Sequence, residues 1–281
     1  MSSFRSGDVT LSYEEYGAGP PVVLAHGMGE STQMWSDQIY ALAERHRLIL
    51  WDNRGHGRSD APDDPAQYSI PTFAADLRAL LDHFGIERAC IGGLSMGGYT
   101  AIAFAVTYPD RVSALILSDT ASGEETIPNR TPAEPAIRER LPLEDLARRE
   151  GMEAVARRTI VDGTASAEVI QNPARRERYI ERMRRLPVNG YIWAWRCLRY
   201  RPSYTDQLET IRVPTLCIAG ARDEFLPAVR MLAERIPDAE LVVIPDAGHN
   251  ANSDQPEAFN RAVLTFLERT AHQGSAHSRA P

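Results

Sequence analysis

Lysine is absent from this sequence: all 31 cationic side chains are arginine. That excludes a P-loop lysine, Schiff-base chemistry and a Ser-Lys dyad, each of which needs an ε-amine. Cysteine is scarce as well. Cys90, Cys197 and Cys217 stand far apart with no C-x-x-C pair, so neither a disulfide framework nor a zinc knuckle is indicated, and a reducing compartment fits best. No apolar run approaches the roughly 18 residues needed to span a bilayer, so no membrane partner is expected. Residues 1–10 contain one Arg and no apolar stretch, which argues against a secretory signal and makes the cytoplasm the expected location. A net charge of -7 argues against nonspecific nucleic-acid binding, which depends on neutralising phosphates. What is present is a chain of 281 residues, 43% hydrophobic and 25% charged, long enough for one large α/β domain or two ordinary ones.

Short β-branched runs alternate with amphipathic stretches over residues 1–119, the pattern of a mostly parallel sheet with helices on both faces. Strands are expected at 9–16, 22–26, 47–52, 89–93 and 112–119. Helices are expected at 31–44, capped by Ser31, at 70–84, ended by Gly85, and at 96–107. Between 120 and 205 the β-branched runs vanish and Arg and Glu crowd together, which reads as an inserted helical lid. The α/β rhythm returns over 206–270, with strands at 213–219 and 240–244 and helices at 226–236 and about 256–269. Residues 271–281 read as a polar tail, expected to be disordered.

The strongest local signal is Gly93-Leu94-Ser95-Met96-Gly97-Gly98, set between an expected strand and an expected helix. Glycines beside the serine let a strained turn close and leave Oγ exposed at a helix N-terminus. A bare G-x-S-x-G match would arise by chance about 0.08 times in a chain of this length and composition, so Ser95 is the candidate nucleophile. It needs a base. His249, in the loop after the last expected strand, is the candidate. His46 and His83 fall inside expected helices, His56 in a turn, and His272 and His277 in the tail. The imidazole needs a carboxylate to fix its tautomer. Asp223, after the strand at 213–219, is the choice, with Glu224 and Asp119 as rivals. Backbone donors for an oxyanion are expected at Met96 and at Met28, the latter in the loop Ala25-His26-Gly27-Met28-Gly29. Tyr191, Trp193 and Trp195 in the lid, and Trp35 in the first helix, are candidates for a substrate pocket, and all four could equally pack a core.

These residues carry a family resemblance over about 8–269. The combination of His26-Gly27, Asp52-Asn53-Arg54-Gly55-His56-Gly57-Arg58-Ser59, the Gly93 to Gly98 turn, Arg222-Asp223 and Gly248-His249 resembles the α/β-hydrolase superfamily. Within it, Ser118-Asp119-Thr120-Ala121, Gly151-Met152 and Gly190-Tyr191 are similar to the 3-oxoadipate enol-lactonases, with departures at Trp193, Trp195 and the arginines around them. The resemblance implies an α/β-hydrolase fold with a lid and a serine hydrolase, of carboxylesterase or lactonase type, that cleaves a small ester or lactone through an acyl-enzyme without metal or cofactor. Two alternatives keep the same residues: a carbon-carbon hydrolase of vinylogous diketones, and a slow-turnover ligand receptor. The stretch 120–205 holds 16 Arg against 12 acidic residues, a balance that suits an anionic substrate or simply solvated helix pairs. Assembly into identical copies is not decided by the sequence.

Overall fold

The computed structural model describes residues 2–123, 126–127, 133–162 and 167–277. The β-branched runs form one eight-stranded sheet from β1 (Ser2–Ser6), β2 (Val9–Tyr16), β3 (Pro21–Ala25), β4 (Arg47–Trp51), β5 (Ala89–Leu94), β6 (Val112–Ser118), β7 (Thr215–Gly220) and β8 (Ala239–Ile244). The spatial order is β1-β2-β4-β3-β5-β6-β7-β8. Strands β1, β2 and β4 pair antiparallel, and every pair from β4 through β8 is parallel. Strand β1 was not anticipated, because its five residues contain a single apolar side chain, Phe4, which is buried and pairs with Leu11.

Successive residues of a strand face opposite sides of a sheet, and here both sides are dry. Val23, Ala25, Ile49, Trp51, Ile91 and Leu117 point to one face and join a core with α2 (Ile70–His83), α3 (Met96–Thr107) and α9 (Leu226–Arg235). Val22, Leu24, Leu48, Leu50, Cys90 and Ile116 point to the other and pack with Leu42 of α1 (Ser36–Ala43) and Phe259 and Phe266 of α11 (Pro256–His277). This two-sided burial is why the central strands read as continuous apolar runs rather than alternating ones. Ser69 caps α2, its Oγ accepting from the Thr72 N–H at 3.1 Å. Such a cap is worth about 1 kcal/mol.

Two helix boundaries differ from expectation by several residues. The helix expected at 31–44 begins as a 3-10 turn, Thr32–Trp35, capped by Ser31, before α1 starts at Ser36. His46 lies in the turn between α1 and β4, not inside a helix. At the other end, α11 runs to His277 instead of stopping near 269. A lone Gly274 costs a helix only about 1 kcal/mol, and no proline interrupts it. Most of the expected disordered tail is thus helical, and 278–281 lie outside the described residues.

Between β6 and β7 lie α4 (Ala133–Glu150), α5 (Met152–Val161), α6 (Ala167–Gln171), α7 (Pro173–Arg185) and α8 (Val188–Arg199). They hold an apolar cluster of their own that includes Met152, Val155, Ile180, Met183, Leu186 and Ile192. Two contacts dock α8 on the sheet domain. Trp193 Nε1 donates to Asp63 Oδ1 at 3.0 Å, and Gly190 meets Gly55 backbone to backbone, so closely that a Cβ on Gly190 would stand 2.0 Å from the Gly55 carbonyl oxygen. Backbone cannot yield as a side-chain tip can. Gly190→Ala is therefore expected to cost about 1–3 kcal/mol, read as a lower denaturant midpoint at unchanged m-value.

Candidate active site

Parallel strands put their carboxyl ends on one edge of the sheet, where a crevice forms. Ser95 follows β5, Asp119 follows β6, Asp223 stands three residues past β7, and His249 follows β8 in its loop. These four strands are consecutive neighbours. The turn Gly27 to Glu30 follows β3, on the other flank of β5.

Ser95 has φ +52° and ψ -112°, a conformation that costs an L-residue on the order of 1–3 kcal/mol and persists only where its surroundings enforce it. The enforcement is visible. The Ser95 N–H donates to the Ser118 carbonyl at 3.0 Å, and the Ser95 carbonyl accepts from Thr120 Oγ1 at 2.9 Å. Gly97 lets α3 start against β3, since a Cβ there would lie 2.1 Å from the Ala25 carbonyl oxygen. Met96 is the first residue of α3, and an N–H in the first turn has no partner within its own helix.

Asp223 is buried, its side chain fully enclosed, and its Oδ1 lies 3.0 Å from His249 Nδ1. The other oxygen, Oδ2, has no hydrogen-bond partner among the described residues. The His249 side chain keeps 37% exposure and rests on Phe225, with ring centroids 4.7 Å apart. Burial works to lower the His249 pKa. The hydrogen bond and charge of Asp223, followed by the charges of Asp119 and Glu224, outweigh it and hold the imidazole above its ordinary value. Asp119 is a second buried acid. Its Oδ1 accepts from the Gly220 N–H at 2.9 Å and its Oδ2 from Ser118 Oγ at 2.7 Å. Burial and then the charge of Asp223 push its carboxyl well above the usual range.

The candidate oxyanion turn is closed by a bond from the Glu30 N–H to the Gly27 carbonyl at 3.2 Å, which leaves Met28 and Gly29 at its tip. His26 braces it from below. The Asn53 N–H donates to His26 Nε2 at 3.0 Å, so the ring proton must sit on Nδ1, from which it donates to the Gly27 carbonyl at 2.7 Å. That arrangement requires a neutral ring, and burial depresses the pKa accordingly. The neighbouring His56 is lowered to about 3 by burial and by His26. Its loop is held by Asp52, which accepts from the Thr32 N–H at 2.7 Å and the Arg58 N–H at 3.0 Å. A buried two-pronged ion pair between Arg54 and Asp76 holds the same loop, at 2.8 and 2.6 Å.

The aromatic candidates separate. Trp35 is 1% exposed and packs on Phe259 at 6.2 Å, so it is a core residue and the pocket assignment is corrected: the turn that begins at Ser31 points this large apolar ring at α11. Tyr191 stands beside the candidate oxyanion turn, its ring 3.9 Å from where a Cβ on Gly29 would be. Trp193 is spent on docking to Asp63, under the guanidinium groups of Arg148 and Arg196. Trp195 carries Arg140 and Arg199 over its ring. Phe225 escaped the sequence reading; its one available signal is its place two residues after Asp223. Among the described residues, no group of three or more His, Cys, Asp or Glu could hold a metal ion, and no helix is long and apolar enough to cross a membrane.

Comparison with known proteins gives a consistent result. Residues 20–256 match the family model of the alpha/beta hydrolase fold. The chain is 30% identical to 3-oxoadipate enol-lactonase 2 of Acinetobacter baylyi, covering 93% of this chain and 94% of that one. It is 31% identical to a 2-hydroxy-6-oxononadienedioate/2-hydroxy-6-oxononatrienedioate hydrolase of Paraburkholderia phymatum, covering 92% and 91%. A thermophilic esterase from Thermogutta terrifontis superimposes with a TM-score of 0.80 at 32% identity, covering 96% and 98%.

The electrostatics are open to direct test by histidine NMR. His249 is expected to titrate above pH 6.5. In Asp223→Asn, where burial is the strongest remaining influence, its midpoint is expected to fall. In both proteins His56 is expected to stay neutral down to pH 5 and His26 to titrate below its ordinary value. The raised value also sets a sign for stability: the contribution of His249 is full below about pH 6.5 and is lost as pH rises through its folded-state value.

Proposed function

The chain belongs to the alpha/beta hydrolase family, and from that premise we propose that it is a serine hydrolase cleaving a small carboxylic ester or lactone. The observation that carries this reading is the contact between His249 Nδ1 and the enclosed Asp223 carboxylate, at 3.0 Å, on loops at the same edge of the sheet as the strained Ser95 turn. A buried acid bonded to Nδ1 fixes the tautomer in which Nε2 carries the lone pair, so the imidazole can take the proton of a serine hydroxyl.

In this mechanism Ser95 Oγ attacks the carbonyl carbon while His249 takes its proton. The tetrahedral oxyanion is held by the backbone N–H groups of Met28 and Met96, each worth about 3 kcal/mol in the transition state. His249 returns the proton to the departing alkoxide, leaving the acyl group on Ser95. Water, deprotonated by the same imidazole, then releases the acid. Asp223 steadies the imidazolium in both halves. The helices between β6 and β7 act as a lid, with Tyr191 facing the acyl or alcohol portion.

A second reading, carbon-carbon hydrolysis of vinylogous diketones, draws on the likeness to the Paraburkholderia phymatum hydrolase. Side-by-side rates on a dienoate and on short-chain esters and lactones separate the two, and faster cleavage of esters or lactones is expected. With p-nitrophenyl acetate, Ser95→Ala and His249→Ala are each expected to lose on the order of 10⁶ in kcat, and Asp223→Asn about 10⁴. Wild-type turnover by Ser95→Ala would end the serine reading.

A further inference from the structure

Two arginines of one face of α7 reach the segments on either side of the site, the short helix after the His249 loop and the turn after β3. Arg175 pairs with Asp254 and Arg182 with Glu30, the second at 2.8 Å between Nη1 and Oε1. The two arginines are seven residues apart, which is two helical turns and about 10 Å of axial rise. Both carboxylates are sheltered, with side-chain exposures of 3% for Asp254 and 12% for Glu30.

Each carboxylate is also tied to a segment that bears on the site: Asp254 ends the short helix α10 (Ala251–Asp254), and Glu30 lies in the turn after β3. Asp254 Oδ2 accepts from the N–H of Gly248 at 2.8 Å, the residue immediately before His249. Glu30 closes the turn that presents Met28, through its N–H on the Gly27 carbonyl. The helix between them is fixed at its start by Asn172, whose Oδ1 accepts from the N–H groups of Ala174 and Arg175 at 3.0 and 3.2 Å. Ile180 and Met183 seat it in the apolar cluster of the insertion. Three of its other arginines are engaged differently: Arg176 donates to the Ile170 carbonyl, Arg184 and Arg185 pair with Glu181, and Arg184 also pairs with Glu153.

We propose that Arg175 and Arg182 are positioning residues, and that α7 is a rigid strut tying the His249 loop to the oxyanion turn so that the two are set together when the insertion is docked. The proposal rests on the serine hydrolase reading for its catalytic consequence and on geometry alone for the coupling. An ion pair with a buried carboxylate cannot be released without stranding a charge, so undocking α7 perturbs both loops at once. The base and the oxyanion donor then share one mechanical constraint, supplied by an element that itself contributes no reacting group.

The test uses the full chain and the variants Arg175→Gln, Arg182→Gln, the double variant, and Arg185→Gln as a control on the exposed face of the same helix. Hydrogen exchange reads the coupling without reference to activity. Each single variant is expected to speed amide exchange in both stretches, 27–30 and 248–252, whereas Arg185→Gln leaves both unchanged. Acceleration confined to the loop that lost its own ion pair would overturn the strut.

Kinetics read the consequence. With p-nitrophenyl acetate, and with active molecules counted by a small fluorophosphonate, each single variant is expected to lose roughly ten- to hundredfold in kcat, with KM changing less than kcat. Arg175→Lys and Arg182→Lys should restore part of the loss. Sites this far apart with no shared partner ordinarily add; the double variant is instead expected to lose little more than the worse single one. A double loss equal to the product of the single losses would refute the coupling. If wild-type protein shows no Ser95-dependent turnover, the hydrolase reading fails, while exchange still decides the strut.

Discussion

Everything functional in this molecule depends on the parallel register of β3 through β8. A parallel strand delivers each following loop to the same edge of the sheet, so four consecutive neighbours bring a serine, two acids and a histidine to one edge from positions more than 150 residues apart in the chain. The register is locked from within. Ser95 hangs on the end of β6 through its N–H, Asp119 hangs on the end of β7 through Gly220, and Gly220 packs so closely on the Gly248 carbonyl that a Cβ would lie 2.2 Å from it. A slip of one residue anywhere in that series would turn the side chain to the opposite face.

On this frame the protein places ionisable groups of opposite character a short distance apart. His26 and His56 are buried without a hydrogen bond to a carboxylate and their pKa values are lowered, which suits them to hold backbone in place as neutral rings. His249 is tied to an enclosed carboxylate and keeps an open edge, which favours its protonated form. Burial acts in the same direction on all three rings; the presence of Asp223 decides the difference. The helical insertion adds a second level of organisation, since its ion pairs with Asp254 and Glu30 fall on the segments next to His249 and Met28.

Much of this was legible in the sequence, and the reason is local. Strands β3 to β7 announced themselves because both their faces are buried and apolar, and α3 was bounded to the residue because a strained serine opens it and Pro109 follows it. The order of Ser95, Asp223 and His249 was readable from short motifs at strand ends. Strand β1 was not, because one buried Phe4 gives no period. The helical state of 270–277 was missed because polar composition was read as disorder, although those residues are compatible with a continuing helix.

Other features had no local signal. Trp35 could face a pocket or a core with equal sequence justification, and only the angle of the turn before α1, against α11, settled it. The pairing of Arg175 with Asp254 and of Arg182 with Glu30 joins residues 79 and 152 positions apart in a segment where arginine and glutamate are everywhere. The sequence by itself determined which segments become strands and which residue types stand at their ends, because backbone propensity and burial act over a few neighbouring residues. The tertiary structure alone decided which acid meets His249 and which arginine meets which loop, because charge pairing depends on distances in space that no spacing along the chain encodes.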